Sequence, residues 1–119
     1  MGSWTNTYTS INPTTINDAN AIFNNTTGSD FLCNVTDLPS GSFSIMAVKE
    51  VARIEVTAGA TPTGAKLGIK SGGTINVDAG HTPGAVWTQY ERLMSTNPIT
   101  SAAWTSSDIN ALQLDVQSM

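Results

Sequence analysis

Apolar side chains fall at alternate positions along this chain, in short runs separated by Gly, Pro, Asn and Thr. Residues 3–9 set Trp4, Asn6 and Tyr8 against Thr5, Thr7 and Thr9, the pattern of an edge strand with an aromatic face. Ile11-Asn12-Pro13 breaks that run, and Ala21-Ile22-Phe23 marks a short strand at 20–24 before a turn at Thr26-Thr27-Gly28. Phe31 to Val35 is a compact apolar strand, closed by the turn residues Asp37-Leu38-Pro39-Ser40-Gly41. The longest β-rich run is Phe43 to Thr57. Its first half is apolar at both parities, which predicts burial on both faces. From Arg53 onward, Arg53 and Glu55 point outward while Ile54 and Val56 point inward. Residues 65–70 alternate strictly, with Leu67 and Ile69 inward, and Ser71-Gly72-Gly73 turns the chain into a run with Ile75 and Val77 on one face. Residues 85–94 fit two periods. Helical spacing collects Val86, Tyr90, Leu93 and Met94, but the aromatic and β-branched content favours a strand.

The last quarter reads as an apolar plug held by caps. Asn97-Pro98 is a turn signal, because proline biases the residue before it toward extended backbone. Trp104 brings the largest apolar surface of the segment. Thr105 is placed as an N-cap, with Asp108 in the first turn, where a carboxylate favours the helix N-terminus. Ile109 and Leu112 share one face of a short helix. Leu112, Leu114 and Val116 then alternate with Gln113, Asp115 and Gln117, which predicts a half-buried strand pairing into the sheet. Seven to nine short strands with one short helix near the C-terminus predict an all-β chain, an antiparallel β-sandwich of jelly-roll type. Residues 1–13 are expected to form an N-terminal edge strand or arm used in assembly, and residues 14–119 a single β-sandwich domain; 119 residues suit one core.

Composition narrows the function. Five basic residues against nine acidic ones give a net charge of −4, and Lys49, Arg53, Lys66, Lys70 and Arg92 are scattered. Nucleic-acid affinity needs clustered cations, so that partner is not expected. The single cysteine, Cys33, excludes an intrachain disulfide and reads as a small buried hydrophobe among Phe31, Leu32 and Val35. No basic-then-apolar run opens the chain, so no signal peptide is expected. No apolar stretch approaches the roughly 20 residues that span a bilayer, so no membrane partner is expected either.

Candidate chemistry is sparse. His81 is the sole histidine, and with Asp78 it makes at most half of a metal site, which needs three or four ligands. Glu50, Glu55 and Glu91 would serve glycoside hydrolysis only as a pair about 5 to 9 Å apart. Each lies near a basic residue (Lys49, Arg53 or Arg92), which favours ion pairing on a solvated face. Ser71-Gly72-Gly73 lacks the Gly-x-Ser-x-Gly spacing of a nucleophile elbow. No catalytic, cofactor or metal residue is assigned, and no enzyme activity is expected. Trp87 and Tyr90 are candidates for stacking on a glycan, against the alternative that aromatics serve the core. Trp4 and Tyr8 are candidates for an interface, where aromatics are enriched.

One order of short motifs runs through nearly the whole chain. It comprises Ile16-Asn17-Asp18-Ala19-Asn20-Ala21-Ile22-Phe23, Gly28-Ser29-Asp30-Phe31-Leu32, Asp37-Leu38-Pro39, the strand ending Ala52-Arg53, and Ser71-Gly72-Gly73-Thr74. It closes with Asn97-Pro98-Ile99-Thr100-Ser101-Ala102-Ala103-Trp104-Thr105 and Ile109-Asn110-Ala111-Leu112. This order resembles small structural proteins of tailed bacteriophages. The chain departs from that family at Asp18-Ala19-Asn20, where the family has an acidic Asp-Gly-Asp run, and at Leu114-Asp115-Val116, where it has a Gly-Val ending. The resemblance implies a virion component of sandwich fold, without assigning its station on the particle. The expected function is a non-enzymatic capsid decoration, collar or tail appendage, with other virion proteins or copies of itself as partners. The alternative is a carbohydrate-binding module that docks on a surface glycan.

Overall fold

The computed structural model describes residues 21–119. Their order is β1 (Asp30–Asn34), β2 (Val48–Ile54), β3 (Ala65–Ser71), β4 (Thr74–Val77), β5 (Thr88–Met94), α1 (Ser106–Asn110) and β6 (Gln113–Ser118). All strand pairings among the described residues are antiparallel. One sheet has four strands in the order β1-β6-β3-β4, and a second pairs β2 with β5. The described chain is therefore mostly β with one short helix. The N-terminal arm, with Trp4 and Tyr8, lies outside the described residues.

The β3–β4 hairpin is made by its turn. Gly72 and Gly73 have φ of 56° and 86°, and a two-residue turn with both central residues left-handed matches the twist of the strands it joins. Leu67 and Ile69 are fully buried on the face of β3 turned toward the second sheet. Ile69 packs with Met94, Trp104 and Leu112 in the core, and Val35, Ile45, Val48, Ile99, Ile109 and Leu114 close around them.

The Trp104 segment forms as its residues predict. Asn97 Oδ1 accepts the Ile99 N–H at 2.9 Å, and Asn97 bonds backbone to backbone with Ala102 and Ser101, so the turn presents Trp104 to the core. The indole Nε1 donates to Met94 O at 2.9 Å, which satisfies the one polar atom of a ring only 5% exposed. Thr105 caps α1. Its hydroxyl accepts the Asp108 N–H, and the Asp108 carboxylate accepts the Thr105 N–H and O–H at 2.8 and 2.7 Å. These bonds hold the Asp108 carboxyl below its ordinary range.

Two expectations need correction. Residues 43–47 are not strand: β5 ends at Met94, opposite Val48, and the chain beyond it enters the Asn97 turn, so among the described residues nothing remains for 43–47 to pair with. Ile45 alone packs on the core, while Met46 is 83% exposed. Over 21–24 the described residues carry a single β-bridge, at Phe23, and residue 20 of the expected strand lies outside them. There Asn24 is committed to a local turn, accepting the Thr26 N–H and donating to Thr26 O and Ser118 Oγ. Cys33 is half-buried rather than enclosed, and desolvation together with the nearby Glu50 carboxyl raises its thiol pKa.

Replacing Trp104 with Ala removes the largest core ring and orphans the Met94 carbonyl, with an expected loss of about 4 kcal/mol in urea unfolding. Thr105→Ala removes only the cap and is expected to cost about 1 kcal/mol. Similar losses for the two would show that Trp104 is not the keystone of the core.

Candidate functional site

A strand exposes opposite faces at successive residues. On the two-stranded sheet, Val48, Glu50, Ala52 and Ile54 share the inward face with Thr88, Tyr90, Arg92 and Met94. This face grades along its length. Met94 and Val48 join the apolar core, Glu50 and Arg92 stand directly opposite each other next, and Tyr90 follows. The polar middle of this face is the candidate site.

Arg92 reaches across to the four-stranded sheet. Its Nη1 donates to Leu67 O at 3.0 Å and Asn76 O at 2.8 Å, and its Nη2 donates to Asn76 Oδ1. One planar cation thereby ties β5 to both β3 and β4, a fork-shaped contact that lysine could not reproduce. Beside it Glu50 is 2% exposed. Burial dominates its chemistry and pushes its carboxyl up to about 8, despite the lowering effects of the Gly68 backbone N–H and the Arg92 guanidinium. Its Oε2 has no protein hydrogen-bond partner. The expectation that Glu50 sits on a solvated, ion-paired face is therefore corrected.

Asp115 stands across from Gly68 on β3 and is 0% exposed, with neither carboxylate oxygen bonded to the protein. Burial first, then the Asp30 charge, lifts its carboxyl to about 6, against the opposing pull of Lys70. The bare backbone of Gly68 makes this arrangement fit. A Cβ there would stand 2.9 Å from Val77 Cγ1, 3.0 Å from Asp115 Oδ2 and 3.2 Å from Asn76 O. Asp115 was expected on the polar outer side of a half-buried strand; instead it is enclosed.

The far end of the inward face carries an ordered imidazole. His81 Nε2 lies 2.7 Å from Asp78 Oδ2, and the His81 ring stacks on Tyr90 with centroids 4.3 Å apart. Asp78 Oδ1 accepts the Leu67 and Gly80 N–H groups, which fixes the 78–81 loop on β3. The His–Asp pair is thus present in geometry, but no hydroxyl or thiol bonds to His81 among the described residues, and no group of three or more metal-capable side chains is found there. The carboxylates weighed for glycoside hydrolysis do not converge. Glu50 faces inward, Glu91 pairs with Lys49 at 3.3 Å on the outward face, and Glu55 is exposed beyond the end of β2. Tyr90 is half-buried against His81, and Trp87 is half-buried just ahead of β5.

A concavity of about 360 Å³ lies where β1, the end of α1 and the start of β6 meet, lined by Asn34, Val35, Asp37, Asn110, Leu112 and Gln113 among others. Its amides are partly engaged: Asn110 Oδ1 accepts the Leu38 N–H, and Gln113 Nε2 donates to Asn34 Oδ1. Sequence reading missed this hollow, because its walls come from two segments about 75 residues apart.

Both carboxyls hold their protons to higher pH in the folded chain than in the unfolded one. The folded chain then binds more protons between about pH 4 and 8, and stability falls as pH rises through that window. The contribution is complete below the unfolded carboxyl pKa values and gone above about 8. For Glu50 alone the change is on the order of 5 kcal/mol. Urea midpoints are expected to drop between pH 5 and 8.5, with Glu50→Gln flattening the upper part of the slope and Asp115→Asn the part below about 6. A wild-type slope unchanged in both variants would contradict this assignment. Arg92→Met is expected to cost about 3 kcal/mol, by leaving two backbone carbonyls and Glu50 without their cation.

No protein-family model, curated protein or solved structure matches this chain.

Proposed function

We propose that this chain is a non-enzymatic structural subunit of a tailed-phage particle, a capsid decoration, collar or tail appendage that assembles with itself or with another virion protein. In this reading the two antiparallel sheets stack as a β-sandwich of jelly-roll type. The observation that carries the reading is how the ionisable groups are used. Arg92, Glu50, Asp78 and His81 are committed to joining the sheets or fixing a loop, while apolar side chains stand in solvent on the outside of the two-stranded sheet. Val51 and Leu93 are 45% and 70% exposed there. Exposed apolar groups on a sheet mark a surface for contact with protein, and the motif order quoted above supplies the virion context.

Two experiments test the reading. Deleting residues 1–13, with Trp4 and Tyr8, is expected to dissociate the assembly while circular dichroism keeps its β signature; an unchanged oligomer in light scattering would remove the arm from the assembly. Antibody labelling of purified particles of the encoding phage is expected to mark a fixed station on each particle. Particles that carry none of the chain would end the structural-subunit reading.

A further inference from the structure

The outward face of the two-stranded sheet has an antisymmetric pattern. Lys49 stands directly across from Leu93, and Val51 directly across from Glu91. The four residues are the corners of a parallelogram. Its apolar corners, Val51 and Leu93, lie on one diagonal, and its charged corners, Lys49 and Glu91, lie on the other. The charged diagonal is closed by an ion pair at 3.3 Å. Gln89 Nε2 donates to the other Glu91 oxygen at 3.0 Å, so this carboxylate is held in place at the surface. Lys49 and Glu91 keep about half of their side-chain surface in water. A two-stranded sheet is marginal alone, and this one leaves its outer face without a cover among the described residues.

We propose that this face is the contact between two copies of the chain, packed face to face about a two-fold axis that runs along the Val51–Leu93 diagonal. The proposal rests on the self-assembly arm of the function proposed above. Charge complementarity selects both the occupant and the axis. A two-fold along the apolar diagonal lays Leu93 on Leu93 and Val51 on Val51 of the second copy. The same rotation places Lys49 over the second copy's Glu91, and Glu91 over its Lys49. Each charge then meets two of opposite sign, and the apolar corners leave water together. A two-fold along the charged diagonal would set lysine on lysine. Axes along or across the strands would set charges on apolar groups. A C2 contact must be self-complementary, and only the apolar diagonal makes this quartet so. The apolar area is small, so the pairing is weak for an isolated pair of copies and strong when many are held together.

The test uses the full chain with charge reversals at exposed positions, where folding does not depend on them. Sedimentation of the wild type across a concentration series is expected to show a monomer–dimer equilibrium. Lys49→Glu alone and Glu91→Lys alone are each expected to weaken it by roughly ten-fold or more, because like charges then face each other. Mixing the two single variants restores opposite charges at both contacts, so a heterodimer of near wild-type affinity is expected. Leu93→Asp removes the apolar diagonal and is expected to abolish dimerisation in every combination. Single variants that dimerise like the wild type, or a mixture that does not rescue, would overturn this face while leaving the oligomer to the N-terminal arm. A wild type that is monomeric at every concentration would overturn the face and the self-assembly arm together, while particle labelling would still decide the virion reading separately.

Discussion

The structure depends on one cation placed between two sheets. Arg92 is anchored in β5 and spends its donors on the carbonyls of β3 and β4 and on the Asn76 amide. Those carbonyls lie at the middle of the contact, where the apolar core formed by Ile69, Met94, Trp104 and Leu112 has already given way to polar groups. Hydrophobic burial holds sheets together without preferring a register. A planar fork aimed at named carbonyls does prefer one, so Arg92 sets how far one sheet slides over the other. Glu50, directly opposite Arg92 on β2, is enclosed beside it.

Much of the frame was legible in the residues. Leu67 and Ile69 alternate so strictly that their burial could be assigned from spacing alone. Gly72-Gly73 specify a hairpin turn by backbone freedom, and Thr105 with Asp108 specify a helix start by hydrogen-bonding capacity. The turn and the cap are local signals, and they survive into the fold because each is satisfied within a few residues. Residues 43–47 show the opposite case. Their apolar content argues for strand, but a strand needs a partner, and the Asn97 turn takes that partner away.

The polar site was only half legible. Glu50 shares parity with Val48, Ala52 and Ile54, and Arg92 shares it with Tyr90 and Met94. That parity was the available signal for a buried pair, and the preference of charges for water argued against reading it. Asp115 gave no such signal, since its place between Leu114 and Val116 marks it as outward-facing. Its enclosure arises on another strand, where Gly68 opposes it with no side chain. The His81–Tyr90 stack likewise joins a loop to a strand that only tertiary structure brings together.

The position of β6 has a consequence for how the chain is made. β6 lies between β1 and β3 and pairs with both, although β1 precedes it by about 80 residues. Until residue 118 has left the ribosome, β1 has no sheet neighbour among the described residues and β3 has only its hairpin mate there. The sheet therefore closes only after β6 has been translated, because the β1–β6 and β3–β6 ladders both wait for it.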